Sequence, residues 1–159
     1  MNILKAEGFS NRAGTVLDEF VFADPLRTLE LNPPEADRLR ATVERVVLGK
    51  VDVKTLLARR PPPQPPSRRS RLRPAVSFDA GASEAATLIQ IIAEDRPGLL
   101  YDLARTISSA GCNIELILID TQAHKAIDVF YVTAEGRKLD AAREAALGES
   151  LLAVCQPAG

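Results

Sequence analysis

The chain repeats itself. The segment "NILKAEGFSNRAGTVLDEFVFAD", beginning at Asn2, runs in parallel with "NIELILIDTQAHKAIDVFYVTAE", beginning at Asn113. Both open on Asn-Ile, run extended and turn through a polar hairpin. Both return through Asp-x-Phe, as Asp18-Glu19-Phe20 and Asp128-Val129-Phe130. Internal similarity of this kind constrains a fold more than any local propensity, because each copy must bury the same kinds of surface. The first hairpin, "SNRAG", is one residue longer, with Gly14 suited to a left-handed or bulged position. The second turn holds the single histidine, His124, which reads as a solvated turn residue.

Each copy is followed by an amphipathic helix. After the first comes "LNPPEADRLRATVERVVLG", where Asn32 and Glu35 have capping-box spacing and Pro33 suits the first helical position. Leu39, Val43, Val46 and Val47 share one face, Gly49 suits the C-terminal cap, and Asp52 is placed to cap a short helix over Val53–Arg60. The second copy has more in front of it. "AVSFDA" (75–80) alternates like a short strand, and "ATLIQIIA" (86–93) is an apolar run of buried-strand length. A helix is predicted over Pro97–Ala110, with Leu99, Leu100, Leu103, Ala104 and Ile107 on one face and Gly111 ending it. Strands over Cys112–Thr121 and Lys125–Ala134 and a helix over Leu139–Val154 complete the series.

Strand, strand, helix, strand, strand, helix is the order of an α+β sandwich of ferredoxin-like kind. It lays helices on one face of a four-stranded antiparallel sheet, with "AVSFDA" where a final strand usually lies. The first copy starts at the third step, so it is truncated and has no counterpart of Ala86–Ala110. Between the copies, "RRPPPQPPSRRSRLRP" holds six of the eleven prolines. Proline removes donors and favours an extended helix without internal hydrogen bonds, so this tract reads as a stiff spacer. Three regions follow: a partial copy over 1–58, a linker over 59–74, and a complete copy over 75–159.

Composition removes several function classes. A net charge of -1 gives no global pull toward nucleic acid or anionic membrane. The linker's Arg59, Arg60, Arg68, Arg69, Arg71 and Arg73 have no interleaved aromatics for base stacking, so they read as solvated charge and no nucleic-acid partner is expected. No apolar run has the length to span a bilayer, and "MNILKAEGF" lacks the basic start and apolar stretch of a signal peptide. Cys112 and Cys155 form no CxxC pair, and a reduced cytoplasmic setting is the default. One histidine excludes multi-histidine zinc sites and most Ser-His or Cys-His relays. Asp18 and Asp128 each stand without a partner carboxylate or base at useful spacing, and Cys112 reads as a buried thiol. No catalytic residue, metal site or cofactor is expected.

The chemistry that remains is at "EDRPGLL" (94–100). Pro97 has the helical φ and no amide to orphan, Arg96 is pushed toward a cap conformation, and Gly98 leaves room for a ligand to approach the first turn. Amides at a helix start favour an anion such as a carboxylate. Asn113, opening the next strand, could donate and accept nearby. The alternative is a structural strand-to-helix turn capped by Asp95.

The order of elements, "EDRPGLL", the small-Gly-x-Asn-Ile step and "AIDVFYVT" together resemble the ACT domain, a small amino-acid-sensing module. The resemblance extends to the tandem ACT pair of the bacterial PII uridylyltransferase/uridylyl-removing enzymes. It rests on Leu17-Asp18-Glu19-Phe20, on Leu56-Leu57-Ala58-Arg59-Arg60, on Val76-Ser77-Phe78-Asp79, and on the Asp95–Leu103 and Asp128–Thr133 stretches. It implies a regulatory module that binds a small amino acid, glutamine in that family. The candidate contacts are Asp95, Arg96, Pro97, Gly98, Leu99 and Asn113. An incomplete first copy would leave a strand edge and an apolar sheet face uncovered, so a homodimer through ACT sheets is expected. The resemblance also implies a catalytic partner region, separate or upstream. That family's nucleotidyltransferase and phosphohydrolase motifs are absent here, so no transferase activity is expected of this chain. A ligand-free dimerising module is the alternative.

Overall fold

The computed structural model describes residues 2–10, 13, 15–59, 72–122 and 125–156. Gly14, His124 and most of the 59–74 linker lie outside them. By internal contacts the chain divides into two compact units, Met1–Asn2 with Phe22–Pro65, and Ile3–Val21 with Pro66–Gly159.

The larger unit is built on one sheet. Strands β1 (Asn2–Ser10), β2 (Val16–Ala23), β3 (Ala75–Asp79), β4 (Thr87–Glu94), β5 (Cys112–Gln122) and β6 (Lys125–Ala134) lie in the order β2-β1-β5-β6-β4-β3. The expected sheet had four strands; the observed one has six. The extra pair is the N-terminal hairpin, whose β1 runs antiparallel to β5 with Lys5 opposite Asp120 and Phe9 opposite Leu116. The repeat accounts for this geometrically. Both strands open on Asn-Ile, and each offers the other the free edge of its hairpin.

Helix α4 (Leu99–Ser109) and helix α5 (Ala141–Cys155) supply the second layer. In β4, burial alternates from Thr87 onward, so Thr87, Ile89, Ile91 and Ala93 all point one way. They meet Phe130 and Val132 of β6, Leu99, Leu103 and Ile107 of α4, and Leu147 and Leu151 of α5 in one core. β3 does fill the expected edge position, paired antiparallel to β4. Its Phe78 reaches α5 where a glycine interrupts the helix. A Cβ at Gly148 would lie 3.2 Å from the Phe78 ring, so a side chain there would require the ring to give by a few tenths of an ångström.

Two polar bonds fix the start of α5. The Asp140 side chain accepts from the Arg143 amide at 2.8 Å, a standard N-terminal cap. The buried hydroxyl of Thr87 accepts from the Leu139 amide at 3.0 Å, pinning the entry to α5 onto β4. Thr87→Val keeps the shape but orphans that amide, and should cost about 1–3 kcal/mol in urea unfolding. Thr87→Ser, which keeps the acceptor, should recover most of the loss.

The smaller unit holds α1 (Thr28–Leu31), α2 (Pro33–Val47) and α3 (Val53–Ala58). The capping box at Asn32 does not form, because no side-chain cap bond is made there. Asn32 also closes α1, its amide donating to the Thr28 carbonyl at 3.1 Å, and that fixes its backbone first. Asp52 does cap α3, accepting from the Lys54 amide at 3.2 Å. The apolar face of α2 is uncovered, with Val43 53% and Val47 79% exposed, and no helix of this unit has a buried residue.

Candidate functional site

The turn from β4 into α4 is built by two residues in sequence. The Leu99 amide donates to the Arg96 carbonyl at 3.1 Å, and Gly98 between them has φ 86° and ψ 0°. Proline second and a left-handed glycine third define a type II turn. The helix therefore starts at Leu99 rather than Pro97, with Gly98 as its N-cap. The Leu99 amide at this helix start is spent on the turn itself. The amides of Gly98, Leu100 and Tyr101 are without a bond partner among the described residues. Gly98→Ala meets no atom within 4 Å, so its cost is purely that of the left-handed backbone. We expect about 1–2 kcal/mol in thermal unfolding, with the first turn of α4 frayed by amide exchange.

Asp95 makes no cap bond to α4. Arg96 is a tether: one guanidinium nitrogen bonds Asp102 Oδ2 at 2.7 Å and the Val154 carbonyl at 3.2 Å, joining the turn to α4 and to the end of α5. Pro97 is exposed. Five of the six candidate residues, Asp95 to Leu99, thus form one continuous feature.

Asn113 does not join them. β4 and β5 are both antiparallel to β6, hence parallel to each other. Asn113 pairs with Thr133 at one end of the sheet, and Glu94 pairs with Lys125 at the other. The eleven residues of α4 carry the chain back about 16 Å in between. Asn113 instead donates to Glu115 Oε1 at 3.0 Å, which also accepts from the Thr133 hydroxyl at 2.7 Å. It lines a groove of about 360 Å³ bounded by Gly8, Asp18 and Phe20 of the hairpin and by Leu100 and Ala104 of α4.

Asp128 is the residue the sequence reading passed over. It is 2% exposed, on the core face of β6, and its Oδ1 has no hydrogen-bond partner among the described residues. Ile91 of β4 and Ile119 of β5 sit opposite it in register. Burial first, and then the charge of Asp95, push its carboxyl up from 3.8 to about 7. It was read as isolated, yet Asp95 acts on it. The signal was available: Asp128 has the same strand parity as Phe130 and Val132, where a carboxylate does not belong. Cys112 and Cys155 are both free and buried, and burial raises each thiol, which fits inert packing. No group of three or more metal-ligating side chains occurs among the described residues. No described helix is long and apolar enough to cross a membrane.

Comparison with known proteins places these features. The family model described as "ACR9-like, ACT-like domain" matches residues 75–156, from β3 through α5. Over 96% of its length the chain is 40% identical to a bifunctional uridylyltransferase/uridylyl-removing enzyme of Phenylobacterium zucineum, covering 16% of that protein. The corresponding enzyme of Novosphingobium aromaticivorans is 35% identical over 95% of the chain, which covers 17% of it. That of Bradyrhizobium sp. (strain ORS 278) is 33% identical over 95%, with 16% covered. The chain thus spans about a sixth of the length of the curated relatives it matches. No solved structure matches it. A two-helix layer on an antiparallel sheet, the Asp-Arg-Pro-Gly turn and the matched family model lead to one conclusion: the chain belongs to the family of ACT-like domains.

Proposed function

We propose that this chain is a regulatory module that senses a free α-amino acid, glutamine by the resemblance of its motifs. In this reading residues 75–159 are a complete ferredoxin-like ACT copy and residues 1–58 a truncated one. The observation that carries it is the similarity to uridylyltransferase/uridylyl-removing enzymes over 96% of the chain. The turn geometry is compatible with it. Gly98 leaves the approach to α4 clear, and the Leu100 and Tyr101 amides suit a carboxylate. The module would report amino-acid level to a catalytic region outside this sequence, as part of the same protein or a separate one, in the cytoplasm.

Isothermal titration of the full chain with glutamine, glutamate and asparagine tests this. Heat with glutamine at millimolar concentration, abolished in Gly98→Val, supports the reading. Folded protein giving no heat and no amide shift at the turn with any of the three overturns it.

A second reading, a ligand-free homodimerising module, is favoured by β2. That edge strand leaves Val16 62%, Leu17 69% and Phe20 49% exposed. The sheet face turned away from α4 and α5 carries Leu88, Ile92, Leu116, Leu118, Ile127 and Tyr131, a surface suited to a second copy. Sedimentation should find a dimer at micromolar concentration, and a strict monomer there removes this reading.

A further inference from the structure

We propose that Arg96 is a positioning residue that locks the Asp95–Leu99 turn to the last turn of α5, so that the two order and loosen as one unit. One consequence rests on the amino-acid reading above. Arg96 shapes the site without touching the ligand, and occupancy of the turn is felt at the end of α5.

Arg96 is engaged through its main chain and its side chain. Its carbonyl accepts from the Leu99 amide at 3.1 Å and so closes the type II turn. Its Nη2 donates to Asp102 Oδ2 at 2.7 Å and to the Val154 carbonyl at 3.2 Å. Asp102 stands in the first turn of α4, and its own amide donates to the Gly98 carbonyl at 3.0 Å, the bond that opens the helix. Arg96 and Asp102 therefore hold the turn, the start of α4 and each other.

The far end of the lock meets a need of α5. Val154 lies in its last turn, where the carbonyls lack intrahelical partners. A guanidinium there satisfies one of them and faces the negative end of the helix dipole. α5 has little of its own for that purpose. Its last turn holds no basic residue, and the amide of its C-cap, Gln156, makes only a long 3.4 Å bond to the Ala153 carbonyl. Arg96 is thus a cap supplied from 58 residues away. Buried Leu151 and Cys155 anchor the inner side of the turn, so losing the cap frays the end of α5 without unfolding the helix. The Arg96–Asp102 pair is about one-third exposed, which keeps the lock modest and reversible. A ligand carboxylate coming to Arg96 would meet Asp102 already paired there. The Gly98, Leu100 and Tyr101 amides carry no such competitor among the described residues.

The test is amide hydrogen exchange and glutamine titration on the full chain, for wild type, Arg96→Ala and Asp102→Ala. Neither side chain belongs to the buried core, so both variants should fold. We expect exchange at Asp102 and at Val154, Cys155 and Gln156 to rise together, roughly tenfold in each variant, with the Glu144 amide at the start of α5 unchanged. Exchange that rises at the turn while the end of α5 stays protected overturns the proposal. Glutamine then separates positioning from contact. Positioning predicts that Asp102→Ala weakens binding several-fold, as Arg96→Ala does, and that the double variant is no weaker than either. Contact predicts the opposite sign, because Asp102→Ala removes the competing carboxylate and tightens binding; that result overturns the proposal. In wild type, saturating glutamine should slow exchange at Val154 and Gln156 as well as at the turn, and slowing confined to the turn also overturns it. The exchange measurements on the variants need no ligand. A protein without glutamine heat whose two ends still loosen together would fail the amino-acid reading and leave the lock supported.

Discussion

Phe130→Ala should lower unfolding stability by about 3–5 kcal/mol, whereas Phe20→Ala, at the matching place of the other Asp-x-Phe stretch, should cost less than about 1 kcal/mol. The two phenylalanines occupy equivalent places in the repeat, two residues after Asp128 and Asp18. Phe130 is 0% exposed and Phe20 49% exposed. What differs is cover. Phe130 has β4 on its outer side and α4 and α5 above it in a continuous core. Phe20 lies on the edge strand of the sheet. Truncating Phe130 removes a whole ring and leaves a cavity that two helices and a sheet cannot close without shifting. Truncating Phe20 removes surface that water already reaches. Urea unfolding followed by circular dichroism compares them, with the larger unit supplying the main transition. Equal costs would mean that Phe20 is covered in solution. The cover would then be a second chain, and the Phe20 effect would fade on dilution.

That contrast also marks what could be read in the residues. The strands and helices from β4 to α5 were legible because their periodicities are clean. Lys125–Ala134 alternates about Phe130, and Leu99, Leu103 and Ile107 recur at helical spacing. The place of β3 was legible from the order of elements. The sixfold sheet was not, because pairing of β1 with β5 depends on two free edges meeting, and no local pattern encodes which edge a hairpin will use. At the candidate site, proline before glycine announced a turn, but not that the Leu99 amide would be consumed in closing it. Asn113 was misplaced through chain direction. A helix that follows a strand returns the chain to the strand's beginning, so the next strand opens at the far end of the sheet from the turn. Arg96 gave no sequence signal of its tether, whose partner Val154 is 58 residues away.

Stability of the wild-type protein should fall as pH rises from about 4 to about 7, and Asp128→Asn should flatten that slope. The sign follows from where the proton resides. Folded, the Asp128 carboxyl keeps its proton up to about 7; unfolded, it releases it near the ordinary 3.8. Between those values the native state binds more protons than the unfolded state, so unfolding free energy declines with pH and levels off above the folded value. Roughly three pH units at 1.36 kcal/mol each set the full effect at about 4 kcal/mol. At pH 8 the Asn variant should therefore be more stable than wild type by about 2–4 kcal/mol, while at pH 4 the two should nearly coincide. The other shifted groups do not imitate this. Asp24, Glu30 and Glu135 are held below the usual carboxylate range by a backbone amide or by arginines, so they add stability as pH rises through the acid range. The Cys112 and Cys155 thiols are raised by burial and titrate only in alkali. Urea midpoints at pH 4, 6 and 8 for both proteins are sufficient. A wild-type stability that holds level or rises from pH 6 to pH 8 would mean that the ionised carboxylate finds a full partner without cost. The core around Ile91 and Ile119 would then have to admit a cation or water in the ground state.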